Sequence, residues 1–300
     1  MRKIVTILLI LAFCFLNAEY KIFSGDKEID IPLLAAELQS YDVIFFGELH
    51  EEELLHQLEL ELLQQFYALN SEICVSLEMF ERDVQSLLNS YLQGKINEDE
   101  FLQKSRPWHN YTTAYKPLVE FSKQHSLPVL AANVPRRYAA MLNKQGKAAL
   151  YSLPAAEQKF IADSLVVLDD EYKQRFFQTM AINMGIQHVS QKHSKMLDSV
   201  YAAQCLKDDT MAESIADFLQ QNPNTKVIHY NGGFHSDYHL GTAQKLKLLG
   251  PKLKIAVIAS EPLPPGSQLV VSDNQKGDFI IVFHRKPAEK QPKMPQFKHE

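Results

Sequence analysis

The sequence predicts an α/β fold, with a large, mostly parallel β-sheet, flanking helices and a smaller all-helical subdomain. Short apolar runs, rich in β-branched or aromatic residues, alternate with helical patterns over much of the chain. Such alternation is typical of a parallel sheet that is covered on both faces. Residues 136–220 interrupt the alternation, because they hold several helical patterns and no convincing strand. This interval predicts the helical subdomain.

Six apolar runs are predicted to be buried strands, because each is short and several are bounded by Gly or Pro. They are VIFF (43–46), ICVSLEMF (73–80), PVLAANVP (128–135), KVIHYNG (226–232), KIAVIAS (254–260) and DFIIVFH (278–284). Leucines at 54, 55, 58, 62 and 63 share one face of a helix predicted over 52–66. Further connecting helices are expected over 116–125 and 242–249.

These patterns also predict the organisation of the chain. We expect the α/β core in residues 19–81, 116–135 and 221–285, and the helical subdomain in 82–115 and 136–220. Residues 286–300, rich in Lys and Pro, are predicted to be a frayed tail. A content of 46% apolar and 22% charged residues is typical of a packed globular protein, and the net charge of −5 gives no support to nucleic-acid binding.

Residues 1–18 are typical of an export signal, since the basic MRK precedes a short apolar run. Cleavage after Ala18 would leave a soluble periplasmic protein, whereas lipidation of Cys14 would leave an anchored one. Neither alternative fits cleanly, because Leu16 and Phe13 are large for the positions they would occupy. Cys74 and Cys205 are expected to be buried free thiols, with a single disulfide as the alternative.

Polar side chains follow three of the predicted strands. Glu48 and His50 end the first strand, Glu78 ends the second, and His235 follows the fourth. Ligands of open parallel sheets collect at the carboxyl ends of the strands, so we expect these four residues at one edge. Carboxylates with imidazoles can hold a divalent metal or act as acid and base. The alternative is that the acidic residues only stabilise the start of the next helix.

Two further observations concern the same edge. His56, among leucines on the predicted helix, is equally consistent with a buried structural histidine and with a site residue. The chain contains no HExxH zinc motif, P-loop, GxGxxG motif or nucleophile elbow.

The helical interval carries a second candidate site. Its side chains of interest are Tyr138, Tyr151, His188, Lys192, His193 and Tyr201. A tyrosinate oxygen suits ferric haem, and Lys or His can bind haem propionates. From this pattern alone haem binding is a weak prediction, because helical tyrosines usually lie in a core and Lys/His runs usually face solvent.

Several segments in this order resemble the ChaN family of bacterial iron-regulated haem-binding lipoproteins. They are FFGELHEEELLHQLELELL, SLEMFERDVQ, AANVPRR, YAAQCLKDDTMAESIADFL and HYNGGFHSDYHLGT, within residues 40 to 260. The family belongs to a superfamily that also includes Tiki-type metalloproteases and erythromycin esterases. The resemblance implies a large parallel sheet with a small helical domain. It also implies that Glu48, His50, Glu78 and His235 match the ancestral active-site motifs, without implying retained metal or catalysis.

The resemblance further implies ferric haem in a pocket shared by two subunits, beside an outer-membrane haem receptor. A tyrosine would bind the iron, with Tyr151 preferred to Tyr201 because it lies at a predicted helix end. His193 and Lys192, with His188 as the alternative, would meet the propionates. The family's lipid anchor favours lipidation of Cys14. The leading hypothesis is therefore a periplasm-facing haem-binding protein rather than an enzyme, and the rival is a metal-dependent hydrolase at the strand ends.

Overall fold

A computed structural model describes residues 19–186 and 190–285 of the chain. The predictions for the signal segment, for Cys14, for His188 and for the tail lie outside the described residues.

One mixed sheet of eight strands organises the molecule. Its strands are β1 (Tyr20–Ser24), β2 (Lys27–Ile29), β3 (Val43–Glu48), β4 (Ile73–Glu81), β5 (Val129–Asn133), β6 (Lys226–Gly232), β7 (Ile255–Leu263) and β8 (Phe279–His284). The order is β2-β1-β8-β7-β3-β6-β4-β5. Strands β3 to β8 are parallel, and β1 runs antiparallel to both of its neighbours. The predicted fold class is confirmed, and each of the six predicted strands is present.

The hairpin of β1 and β2 was not predicted. Each of its strands buries one side chain, Ile22 or Ile29, so neither forms an apolar run. The strands meet at a tight turn where Gly25 has a φ of 57°, a conformation that glycine adopts without strain. This hairpin extends the sheet beyond β8.

Twelve helices are present among the described residues. They are α1 (Ile31–Glu37), α2 (Glu53–Leu69), α3 (Gln85–Leu92), α4 (Glu98–Ser105), α5 (Tyr111–Ala114), α6 (Lys116–Gln124), α7 (Arg136–Gln145), α8 (Lys147–Tyr151), α9 (Ala155–Gln158), α10 (Glu171–Asn183), α11 (Gln191–Gln221) and α12 (Gly241–Leu249). The three individually predicted helices correspond to α2, α6 and α12. Within the described part of the chain, no helix has the length and apolar character needed to cross a bilayer.

The sheet is buried on both faces, which explains the continuous apolar character of β3. Ile44 and Phe46 face the larger core cluster, which includes side chains of α1 to α6. Val43 and Phe45 face α12 and the C-terminal part of α11, where Ala212, Ile215, Ala243 and Leu246 pack. Successive strand residues point to opposite faces, so both sets are apolar. Cys74 and Cys205 are buried free thiols, as predicted.

The helical interval from α7 to α11 has small apolar clusters of its own. One joins α7 and α8 to Leu206, and another joins α10 to Tyr201 and Cys205. Residues 82–115 instead pack into the larger cluster through Tyr91, Phe101 and Tyr111. The domain boundaries stay a prediction, but the two predicted pieces of the subdomain contact different neighbours.

Arg82 joins the end of β4 to this helical interval. Its guanidinium donates hydrogen bonds to the carbonyl oxygens of Ile161 and Thr210 and to Ser214 Oγ. The same group forms an ion pair with Glu213 at 2.9 Å. Four contacts from one planar donor fix the middle of α11 beside the carboxyl ends of the strands.

Candidate functional site

The structure brings together Glu48, His50, Glu78 and His235 at the carboxyl edge of the sheet. All four line one cavity of about 700 Å³. They meet because β3, β6 and β4 are adjacent strands that end at this edge. We call these four residues the strand-end site.

Gly232 is required for this arrangement. Its position pairs with Glu48 across β3 and β6. A Cβ at residue 232 would lie 2.7 Å from His50 Nε2, so any larger residue would displace the imidazole. The backbone N–H of Gly232 also donates to Glu78 Oε2 at 2.8 Å. The glycine therefore allows His50 to approach the strand end closely.

Glu48 is a buried carboxylate with two donors on one oxygen. Tyr115 donates to Glu48 Oε1 at 2.7 Å, and His50 Nδ1 lies 2.6 Å from the same atom. Burial alone would raise the pKa of Glu48, but hydrogen bonds from His50 and His56 lower it to about 2. Burial opposes a charge on His50, yet the hydrogen bond to Glu48 raises the pKa of His50. The two side chains thus form a partly buried ion pair.

His235 lies between two carboxylates on the other side of the cavity. Its Nε2 is 3.3 Å from Glu78 Oε1, and its Nδ1 is 2.6 Å from Asp208 Oδ1. Burial opposes its charge, but the attraction of Glu78 and Asp208 raises the pKa of His235 to about 10. Despite burial, His235 also lowers the pKa of Glu78. The ring is therefore oriented from both nitrogens.

Asp208 and Gln204 are site residues that sequence reasoning missed. Asp208 accepts hydrogen bonds from Tyr172 and Thr242 at 2.8 Å each, besides its contact with His235. Gln204 Nε2 lies 3.3 Å from the His235 ring nitrogens. Both residues come from α11, four positions apart and thus on one helix face. The available signal was weak: two polar residues four positions apart, in a stretch that also carries Lys207, Asp209 and Thr210.

His56, whose role the sequence left open, lies next to Glu48. It is buried, its Nε2–H donates to the carbonyl oxygen of His50 at 3.0 Å, and its Nδ1 is 3.1 Å from Glu48 Oε2. Glu59, one helical turn further along α2, places Oε2 at 3.1 Å from the same nitrogen. Burial opposes charge on His56, but the two carboxyl groups raise its pKa to about 10. Burial and repulsion from Glu48 raise the pKa of Glu59 well above its usual value.

One compact group of possible metal ligands shares only Glu48 with the predicted set, which stays a prediction. Among the described residues, the carboxyl and imidazole groups whose ligand atoms all lie within 4.8 Å of one another are Glu48, His56 and Glu59. Glu48, His50, Glu78 and His235 do not form such a group in the described part of the chain. Their hydrogen bonds with one another and with Asp208 suit proton transfer at least as well as metal binding.

Besides the strand-end site, cationic side chains, an aromatic ring and the acidic Glu51 and Glu81 line the cavity. Arg136, Lys207, Arg285 and Trp108 contribute to its lining. The Trp108 ring meets the His50 ring edge to face at 4.8 Å, and the Arg136 guanidinium lies 5.8 Å from the Trp108 ring. Charges of both signs therefore line the cavity, and its lining does not by itself select an anion over a cation.

The two tyrosines predicted as iron ligands have opposite environments. Tyr151 ends α8 and is 49% exposed. Among the described residues its hydroxyl has no hydrogen-bond partner, while Lys147 Nζ lies 5.3 Å from the ring. Tyr201 is 1% exposed, packs against Phe176 and donates to the carbonyl oxygen of Leu168 at 3.1 Å. Burial raises the pKa of Tyr201 and opposes formation of its phenolate.

A family model matches residues 34–246, from α1 to α12, and is described as "Haem-binding uptake, Tiki superfamily, ChaN". The chain belongs to the ChaN family. The family predicted from the sequence is thereby confirmed. A search of curated protein sequences returned no match.

The fold was also compared with solved structures. ChaN of Campylobacter jejuni, described with cofacial haem binding, is 18% identical and has a TM-score of 0.66; 90% of this chain and 98% of that chain are covered. An erythromycin esterase mutant in its open conformation is 14% identical over 84% of this chain and 78% of that chain, with a TM-score of 0.46. The type III effector HopBA1 is 9% identical over 85% and 94% of the chains, with a TM-score of 0.47. The first of these similarities establishes a shared fold.

The remaining residues predicted for a ChaN-type haem site lie at the start of α11. Lys192 is exposed in its first turn. His193 takes part in a capping box, since its N–H donates to Ser190 Oγ at 3.3 Å and its Nδ1 accepts from the Ser190 N–H at 3.4 Å. Apolar side chains close to this point in the sequence are exposed: Ile182 (78%), Met184 and Met196. An accessible phenol, apolar surface and a cation are therefore available on the helical interval, which fits a haem ligand.

Tyr151 and Lys192 are separated along the axis of α11. Leu150 of α8 packs in a cluster with Ala202 and Ala203 of α11. Lys192 precedes Ala202 by ten residues, which corresponds to about 15 Å along a helix. A haem whose iron is bound by Tyr151 need not meet Lys192 of the same copy.

Proposed function

We propose that this protein binds ferric haem for bacterial haem or iron uptake, with Tyr151 as the iron ligand at an interface between two copies. Membership of the ChaN family supports haem as the ligand. The observation that carries the choice of tyrosine is exposure: the Tyr151 hydroxyl is accessible and lacks a hydrogen-bond partner among the described residues, whereas Tyr201 is buried.

The chemistry of the proposed site is binding without turnover. A phenolate is a hard anionic oxygen ligand, and haem proteins with tyrosine as an axial ligand use this match to ferric iron. The exposed apolar side chains would cover porphyrin surface, and Lys192 would form a charge-assisted hydrogen bond with a propionate. His193 is the second propionate candidate. His188 remains an alternative that lies outside the described residues.

The proposed stoichiometry follows from how little of a porphyrin one copy can cover. Tyr151 lies on an open helix end, and Lys192 lies about three helical turns away along α11. A second copy would supply the missing wall and the propionate contacts. Because haem then binds the dimer more tightly than the monomer, haem should drive dimerisation by mass action.

Hemin titration followed by absorbance and by sedimentation velocity tests this proposal. The expected result is a mainly monomeric protein without hemin and an approximately doubled mass at saturation. The mass change should follow the appearance of the ferric tyrosinate absorption band. A protein that saturates with hemin yet stays monomeric would contradict the shared site, and a protein that binds no hemin would contradict the function.

The proposed setting is an exported protein that faces the periplasm and transfers haem with an outer-membrane receptor. Lipidation at Cys14 would supply the anchor, and cleavage after Ala18 would instead release the protein. Metabolic labelling with a palmitate analogue, together with the Cys14→Ser variant, separates the two. Label in the wild type and none in the variant supports the anchor, whereas no label in either contradicts it.

A metal-dependent hydrolase is the second candidate. It is favoured by the intact strand-end site, where His50 and His235 are each held by a buried carboxylate beside a cavity. In this candidate Glu48, His50, Glu78 and His235 would hold a metal ion that would supply an activated water, and one of the glutamates would accept its proton. Stoichiometric Mn or Zn that disappears in His50→Ala and in His235→Ala, together with loss of a hydrolytic activity, would support this candidate. Unchanged metal content in both variants would contradict it.

A further inference from the structure

We propose that Glu48, His56 and Glu59 form a buried binding site for one divalent cation of the Mn²⁺ or Zn²⁺ class, separate from the haem site. Glu48 comes from the end of β3, and His56 and Glu59 come from α2 at a spacing of three residues. This spacing places both side chains on the helix face that looks toward Glu48.

The three ligand atoms are already close to the separation that a cation needs. His56 Nδ1 lies 3.1 Å from Glu48 Oε2 and 3.1 Å from Glu59 Oε2. Ligand atoms bound to a common Mn²⁺ or Zn²⁺ at about 2.1 Å have similar mutual separations of about 3 Å. A cation between them would require only small side-chain movements.

A buried oxygen without a partner supports a ligand here rather than an internally satisfied cluster. Glu48 is 1% exposed and Glu59 is 0% exposed. Within the described residues, Glu59 Oε1 has no hydrogen-bond partner, and the contact recorded for Glu48 Oε2 is its ion pair with His56 at 3.1 Å. Leaving a buried carboxylate oxygen without a partner is unfavourable by about 1–3 kcal/mol or more.

The neighbouring contacts orient the ligands as in known metal sites. Metal-binding histidines usually donate their other ring N–H to a backbone carbonyl or a carboxylate. The Nε2–H of His56 donates to the carbonyl oxygen of His50 at 3.0 Å, which leaves Nδ1 for a metal. The other oxygen of Glu48 is occupied by Tyr115 and His50, which leaves Oε2 for a metal.

Charge and access are also appropriate. The two carboxylates place negative charge next to a dication, which lowers the cost of burying the cation. His56 lines a second cavity, of about 370 Å³, that opens between α2 and α5, while Glu48 lines the larger strand-end cavity. The three ligands therefore lie between two cavities through which a cation and water can enter.

Mn²⁺ binding to the full chain without hemin tests this site. After treatment with a chelator, the wild type should bind one equivalent of Mn²⁺ by electron paramagnetic resonance titration. His56→Gln and Glu59→Gln should each lower the affinity about tenfold or more, because each removes a ligand. The matched control Glu61→Gln, which changes an exposed carboxylate on the same helix, should stay within about threefold of the wild type.

Pulsed electron paramagnetic resonance of the wild type gives a readout that does not depend on variants folding. The proposed site has one imidazole, so coupling to one imidazole nitrogen is expected. Coupling to two imidazoles would place the ion between His50 and His235 and overturn the proposal. A wild type that binds no Mn²⁺ at millimolar concentration would also overturn the proposal. Unchanged Mn²⁺ affinity in both His56→Gln and Glu59→Gln would overturn it as well. None of these outcomes bears on hemin binding.

Discussion

The strand-end site and the helical interval differ in how far their functional side chains are buried. At the strand ends, buried charges are held by one another: His235 lies between Glu78 and Asp208, and Glu48 accepts hydrogen bonds from Tyr115 and His50. On the helical interval, Tyr151 and several apolar side chains are exposed. The first region is held together by contacts within one chain, whereas the second offers an exposed surface that the proposed haem and second copy would cover.

This contrast indicates where each kind of ligand belongs. A preorganised buried network suits a small ion or a proton, because its geometry is already fixed and its charges are compensated. A flat macrocycle needs accessible apolar area and a free ligand atom, which the helical interval supplies. The predictions below measure how independent the two regions are, from the largest expected effect to the smallest.

Asp208→Ala should reduce the free energy of unfolding by about 3–5 kcal/mol, because it leaves the buried His235 without one partner of its ion pair. Urea denaturation measures the loss. Asp217→Ala, an exposed change on the same helix, should stay within about 0.5 kcal/mol of the wild type. Hemin affinity of folded Asp208→Ala should be unchanged, and a strong loss of affinity would show that the regions are coupled.

His229→Gln should flatten the dependence of stability on pH. Burial lowers the pKa of His229 to about 3, from 6.5 in the unfolded chain. Below pH 6.5 the unfolded state binds a proton that the folded state does not, so this residue lowers stability as pH falls, by about 2 kcal/mol between pH 7 and 5. Histidines with a raised pKa, such as His235, instead increase stability as the pH falls. The contribution of His229 is therefore obtained from the difference between the wild type and His229→Gln.

Denaturation of both proteins at several pH values gives the difference in slope. The exposed His109 is the matched control, and His109→Gln should leave the wild-type slope unchanged. Parallel profiles for the wild type and His229→Gln would mean that His229 is not buried in its neutral form.

Tyr151→Phe should lower ferric haem affinity about tenfold or more, which is at least 1.4 kcal/mol, and remove the tyrosinate absorption band. Its stability should stay within about 0.5 kcal/mol of the wild type, since the side chain is half-exposed. Tyr201→Phe should do the reverse, losing about 1 kcal/mol of stability with its hydrogen bond to Leu168 while keeping the band. Loss of the band in Tyr201→Phe alone would reverse the assignment.

Lys192→Gln should weaken hemin binding only about two- to fivefold, because exposed ion pairs contribute less than about 1 kcal/mol. The difference should shrink at high ionic strength, where charge interactions are screened. Lys252→Gln, which removes an exposed charge near the start of β7, is the control. Equal effects of both substitutions would indicate a general charge effect rather than a propionate contact.

The sequence predicted much of the sheet and the strand-end site for a physical reason. Buried parallel strands are continuous apolar runs, and groups that directly follow them must share an edge. The β1–β2 hairpin was missed because its strands are half-exposed. Asp208 was missed because it approaches His235 through the packing of α11 against the sheet, and no local pattern encodes that contact. The grouping of Glu48 with His56 and Glu59 likewise depends on how α2 leaves β3.

The helix α11 belongs to both regions, and this restricts the insertions and deletions that the sequence can tolerate. Its first turn carries Lys192, its middle carries Gln204 and Asp208, and its last turns cover the sheet. Inserting or deleting a single residue between Lys192 and Gln204 would turn one end by about 100° relative to the other. Natural variation in this stretch should therefore proceed by substitution, while length changes accumulate in the loops on either side of the helix.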